Sequence, residues 1–322
     1  MKRFSALEEI EREPGYAEKN PIHLGVYRRL YGWYSFAEGL DVECCVQKPN
    51  GNLCDRKHRR GWVAQLHDDS LTIVGGDCAR EKFGADSIIA QDISRATNEI
   101  DRLEKLARLE ELLLGRDKAM EEIARLKGSL VAAKKRVAGH LENLGPHLAR
   151  TLVSMSRANL SVIAVLGIVP EVLDADGETV RDRRERDIPI ATLASLSACN
   201  PSFVESILDD LRGVERAYAR SRSVPVSEMK PKDVRLLNAA LADEPRITLR
   251  ATEYLTVVER FEANDFTPLC FAVSDKAERL KIARYGLERQ GAEAGKEAAK
   301  AWIQSRESEL KVRFEVSLIR TR

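Results

Sequence analysis

The chain has 322 residues, 43 % hydrophobic and 32 % charged, which is enough for two or three domains. Its 52 Lys and Arg nearly balance its 51 Asp and Glu, which excludes a uniformly basic nucleic-acid binder and leaves room only for a local basic patch. The start, Met1-Lys2-Arg3-Phe4-Ser5, lacks the apolar core of a secretory signal, and the longest apolar stretch, Leu160 to Val169, is too short to span a bilayer. The expectation is a cytoplasmic protein with no membrane contact.

Residues 1 to 40 read as a helical lead-in. Leu24, Tyr27, Arg28, Tyr31 and Tyr34 share one helical face, flanked by Trp33 and Phe36. Such an aromatic stripe is expected to pack on the module that follows, which is too small to bury a core unaided.

Cys45 to Gly84 carries residues with the chemistry and order of a metal site. Cys54 and His58 sit three residues apart in LCDRKHRRGWV. An apolar run (Gly61 to Leu66), a polar turn at Asp68 to Ser70 and a second apolar run (Leu71 to Val74) predict a β-hairpin. DCAREKFG then predicts a helix capped by Asp77, with Cys78 at its first position. The fourth candidate is Cys45, or its neighbour Cys44. Thiolate and imidazole ligands in this number suit a closed, tetrahedral, structural Zn2+ site. Four clustered cysteines with two loners, Cys199 and Cys270, fit a reducing compartment better than a disulfide framework. The turn, hairpin and helix resemble a treble-clef zinc finger over residues 44 to 84. The first turn departs from that pattern by offering Cys and His where two Cys are usual. The helix start offers one ligand instead of two.

From about Gln91 the apolar period is helical. Ile93, Ile100, Leu103, Leu106, Leu109 and Leu113 mark one long helix, interrupted at Gly115. Ile123, Leu126, Leu130, Ala133, Val137, His140 and Leu144 then alternate spacings of three and four, which is the seam of a coiled coil. The simplest arrangement is an antiparallel helical hairpin; the rival is a seam shared between protomers. An apolar helix is expected from Pro146 to Leu166. The charged stretch Asp174 to Asp187 reads as a surface loop and a domain boundary.

Residues 188 to 213 are similar to the helix-turn-helix of transcription regulators: a short helix at Leu193 and Ala194, a small turn residue at Ala198, and a second helix capped by Asn200 and opened by Pro201. The outward residues of that second helix include Glu205, Asp209 and Asp210, which oppose a phosphate-lined groove. A packing corner is the better reading. Ile247 to Val258 reads as a strand or a buried helix, its length favouring helix. A last helix is expected over Lys276 to Glu309 and a strand-like ending over Val312 to Ile319.

No phosphate loop, dinucleotide fingerprint or nucleophile motif occurs, so no catalytic residue is assigned and the expectation is a non-enzymatic protein. The expected fold is mainly α. A lead-in and zinc module fill residues 1–90, a coiled-coil hairpin 91–145, and a mainly helical region 146–322. Arg56, Lys57, Arg59 and Arg60 surround His58, and Trp62 follows, a combination suited to phosphate contact and base stacking. The leading expectation is therefore a zinc-binding component of a cytoplasmic bacterial assembly that contacts DNA or RNA. The alternative is a scaffold that oligomerises through its helices or docks a partner protein, in a mobile-element or phage-defence setting.

Overall fold

Aromatic and β-branched residues, which fit a pleated and half-buried surface, decide the architecture of the N-terminal part. The computed structural model describes residues 1–173, 179–181 and 184–321. It divides into two units, Met1–Arg108 and Leu109–Arg322.

In the first unit a short strand β1 (Lys2–Phe4) and one helical turn α1 (Leu7–Glu11) precede β2 (Tyr27–Ser35). The expected helical lead-in is therefore strand and irregular chain apart from that one helical turn. The spacing that resembled a helical face comes from register shifts in β2 opposite its partner strand, between Tyr27 and Arg29 and between Leu30 and Gly32. Beyond the shifts the burial alternates, with Gly32, Tyr34 and Phe36 inside. A two-stranded ladder, β3 (Val42–Glu43) with β4 (Lys57–His58), leads to the hairpin β5 (Arg60–Leu66) and β6 (Leu71–Val74). The main sheet has the order β1-β2-β5-β6, with β1 parallel to β2 and the remaining pairs antiparallel. Helix α2 (Gly76–Phe83) follows the hairpin, so the turn–hairpin–helix order read from residues 44–84 is present. Helix α3 (Ile88–Leu113) begins with Ile89 and Ile93 packed on one face of the sheet beside Trp62 and Ala64. Phe4, Ile10, Tyr34 and Val63 form a second cluster.

The second unit is built round α4 (Arg116–Leu144). All seven residues of its heptad seam are buried, and α4 packs on α6 (Pro201–Arg220) and α8 (Glu244–Glu262). Within the second unit the seam thus belongs to a helix bundle. His140 gives the seam its one polar position. Its Nδ1 meets the Tyr285 hydroxyl, and its Nε2 lies 3.5 Å from Glu262 Oε1.

After α5 (Pro146–Arg157) the expected helix does not continue to Leu166. The run VIAVLGIV is β-branched and forms β7 (Val162–Val169), the middle strand of a three-stranded sheet. A small pair, β8 (Val172–Leu173) with β9 (Thr179–Arg181), precedes β10 (Arg184–Thr192). Half of the expected loop at 174–187 lies outside the described residues; within the rest, Thr179–Arg181 is β9, and Arg184 to Asp187 opens β10 against β7.

The helix-turn-helix expectation fails at its first helix, since Leu196–Cys199 is a single 3-10 turn. Asn200 does cap α6 by accepting from the Ser202 N–H, and Pro201 opens it. The carboxylates of α6 are matched within the unit: Lys134 pairs with Glu205, and Arg250 meets Asp210 at 2.8 Å. α6 is a packing helix. α7 (Pro231–Ala242) covers α6, and Ile247 to Val258 is helical, inside α8. The expected last helix is two, α9 (Lys276–Arg289) and α10 (Lys296–Phe314), with Gly291 at φ 70° between them. The strand-like ending reduces to β11 (Leu318–Arg320), paired with β7. No helix among the described residues is long and apolar enough to cross a membrane.

The bundle assignment is open to a paired test. Leu130→Ala removes a fully buried seam side chain and is expected to cost about 2–5 kcal/mol. Leu103→Ala is expected to stay within about 0.5 kcal/mol. Chemical denaturation of both variants checks it. Equal losses would contradict a seam buried in the bundle.

Candidate metal centre

Cys44 and Cys45 follow β3 in extended backbone, which sends adjacent side chains to opposite faces. The Cys44 side chain enters the core of Trp62, Val74 and Cys78. The Cys45 side chain enters the other, with Tyr34, Val63 and Ile73. The sulfur atoms of Cys44, Cys54 and Cys78 therefore gather within 4.8 Å of one another. The Cys45 thiol faces the Glu43 carbonyl at 3.8 Å and takes no part. Of the two neighbours left open by the sequence, Cys44 is the one in the cluster, and the preference for Cys45 is corrected.

Backbone hydrogen bonds hold the turn that carries Cys54. Cys44 N–H donates to Arg56 O and Asp55 N–H to Cys44 O, both at 3.1 Å, and Cys54 N–H donates to Val46 O at 2.8 Å. Asp55 takes a left-handed φ of 54°, which an Asp tolerates at a tight turn. Cys78 arrives from the first turn of α2. Gly75, not Asp77, is the N-cap, and the Gly75 N–H points at Cys44 Sγ over 3.5 Å. Cys54 Sγ lies 3.7 Å from Cys78 Sγ.

His58, on β4, borders this cluster, although neither of its ring nitrogens lies within 4.8 Å of all three sulfurs. Its Nδ1 is 2.5 Å from the Tyr34 hydroxyl, while its Nε2 is buried and has no hydrogen-bond partner. A Cβ on Gly75 would lie 2.9 Å from that Nε2 and 3.2 Å from Cys78 Sγ, so the imidazole and the thiol line one gap. The residue there has to be glycine because of this close approach. Burial and the neighbouring thiols push Cys78 up to about 12, and burial raises Cys44 as well. Burial also lowers the His58 pKa and so favours neutral imidazole, the form that binds metals.

These residues fit a tetrahedral cation. Zn–S bonds of about 2.3 Å place two sulfurs about 3.8 Å apart, close to the separation of Cys54 and Cys78. A divalent ion would give the orphaned Nε2 a partner and stabilise thiolates that burial alone disfavours.

The basic turn is only partly as expected. Arg56 is held by Glu81 at 3.0 Å, whereas Lys57, Arg59 and Arg60 are exposed and make no ion pair among the described residues. Trp62 is 7 % exposed and lies in the core shared with α3, so its ring offers no stacking face. The less buried ring is Trp33, opposite Trp62 on the neighbouring strand; it is half-buried against the same core, with the Arg3 guanidinium 4.9 Å above it. Both rings, with Arg3, Arg60, Asp101 and Glu104, line a cleft of about 590 Å³. Trp62, Val63 and Ala64 are buried in succession, so both faces of β5 are covered at Trp62.

Comparison with protein-family models, with curated proteins and with solved structures returns no match.

Single-cysteine variants separate the neighbours. Cys44→Ser, Cys54→Ser and Cys78→Ser are expected to lose bound metal, while Cys45→Ser keeps it, as read by elemental analysis of the purified chains. Metal retained by Cys44→Ser and lost from Cys45→Ser would reverse the assignment.

Proposed function

We propose that residues 44–84 are a treble-clef-like structural zinc module, with Cys44, Cys54, Cys78 and His58 as ligands. On this reading the module holds a nucleic-acid-binding edge in a non-enzymatic, cytoplasmic assembly protein. The observation that carries the zinc reading is the buried, unpartnered Nε2 of His58 beside three clustered thiols. A closed site with four protein ligands has no open position for substrate, so its role is structural. It would tie the Cys54 turn, β4 and α2 together where few apolar residues are available.

The nucleic-acid reading is supported by Lys57, Arg59 and Arg60, three exposed cations on β4, β5 and the residue between them. Cations held on a rigid edge lose little freedom when they meet phosphate. Trp33 supplies the ring that Trp62 does not, and base stacking there is tolerant of sequence. The near balance of charge over the chain and the Glu81 partner of Arg56 favour the second reading, a scaffold in which the same edge docks an acidic protein.

Freshly purified protein is expected to carry about one zinc per chain. Replacing Lys57, Arg59 and Arg60 together with Ala is expected to weaken DNA or RNA binding and leave the zinc in place. The slope of log K against log[salt] should fall by about 2–3, since each lost phosphate contact contributes about 0.7–0.9. Titrations at several salt concentrations measure this. A parent chain that binds neither nucleic acid at low salt leaves the scaffold reading.

A further inference from the structure

We propose that Tyr34 is the positioning residue of the metal centre: its hydroxyl accepts the Nδ1 proton of His58 and so leaves Nε2 free as the fourth ligand. The inference rests on the zinc reading above and adds a residue that is itself no ligand.

A neutral imidazole carries one proton, on either nitrogen. With the proton on Nε2, His58 would turn an N–H toward Cys78 and block the site. With the proton on Nδ1, Nε2 presents a lone pair to the gap it shares with Cys78 Sγ. What Nδ1 meets therefore decides whether His58 can bind a cation. It meets the Tyr34 oxygen at 2.5 Å, and a hydroxyl is able to accept. Metal-bound histidines in general donate their second ring N–H to such a partner, which fixes both tautomer and ring orientation.

The Tyr34 hydroxyl is held where it is needed. The side chain is 1 % exposed, and its ring stacks on Phe36 with centroids 4.7 Å apart. Across the strand pair Tyr34 faces Gly61, where any Cβ would collide with the hydroxyl and with the Val74 carbonyl. Gly61 leaves space for the phenol oxygen on one side of the imidazole, and Gly75 leaves space for Nε2 on the other. An aromatic ring placed only for packing would need the second clearance of neither glycine.

The test uses the full chain loaded with zinc. Tyr34→Phe keeps the ring and removes the acceptor. Zinc affinity, read by competition with a chelator, is expected to fall on the order of 10–100-fold. The thermal midpoint at saturating zinc should stay near the parent's. Long-range 15N–1H correlation spectra of the parent should show the proton on Nδ1 and the metal-shifted signal on Nε2. Unchanged affinity in Tyr34→Phe, or a parent spectrum with the proton on Nε2, would overturn the proposal and leave zinc binding standing. A parent without zinc overturns the zinc reading itself. His58→Ala that binds zinc as tightly as the parent removes His58, and with it Tyr34, while the three cysteines remain. Should Tyr34→Phe fail to fold, the parent spectrum decides alone.

Discussion

Three thiols, gathered into one small and mostly buried space, are the constraint on which the first unit depends. Burying unpaired thiols and a ring nitrogen without a partner is unfavourable. Here it occurs at the junction of the Cys44 segment, the Cys54 turn, β4 and α2, so each of these elements is placed by what it brings to that point. The sheet beside it carries a separate buried cluster on each face. A cation at the junction would turn the least favourable contact in the unit into its strongest cross-link. Sheet, hairpin and helix would then become a rigid mount for Lys57, Arg59 and Arg60.

The second unit rests on different physics. Its centre is a long amphipathic helix whose seam is dry except at His140, and whose flanks are held by charge pairs such as Lys127 with Glu215 and Arg136 with Glu262. Exposed pairs of this kind contribute little each, and the buried leucines contribute most.

Composition and pattern were enough to show a mainly helical chain, a possible metal site that draws on Cys54 and Cys78, the hairpin between Gly61 and Val74, and the buried seam of α4. These are local properties. Ligand chemistry is carried by residue type, turns by their polar residues, and a seam by spacing within one helix. Asn200 and Pro201 were legible as the start of α6 for the same reason, because a cap acts on the helix it begins.

Tertiary structure alone decided which face each extended residue takes and what each helix packs on. Cys44 and Cys45 have the same chemistry, and side chains that leave the chain on opposite faces send only Cys44 to the thiol cluster. Trp62 is buried and Trp33 half-buried because α3 covers the strand pair at Trp62, a contact between segments far apart in sequence. Register shifts in β2 disguised a strand as a helical face, and a β-branched run became β7 because β10 and β11 were available to flank it. The α4 seam announced that it would be buried, but its partners are α6 and α8, many residues further on. Spacing within a segment states what it must bury; only the fold brings together the surfaces that bury it.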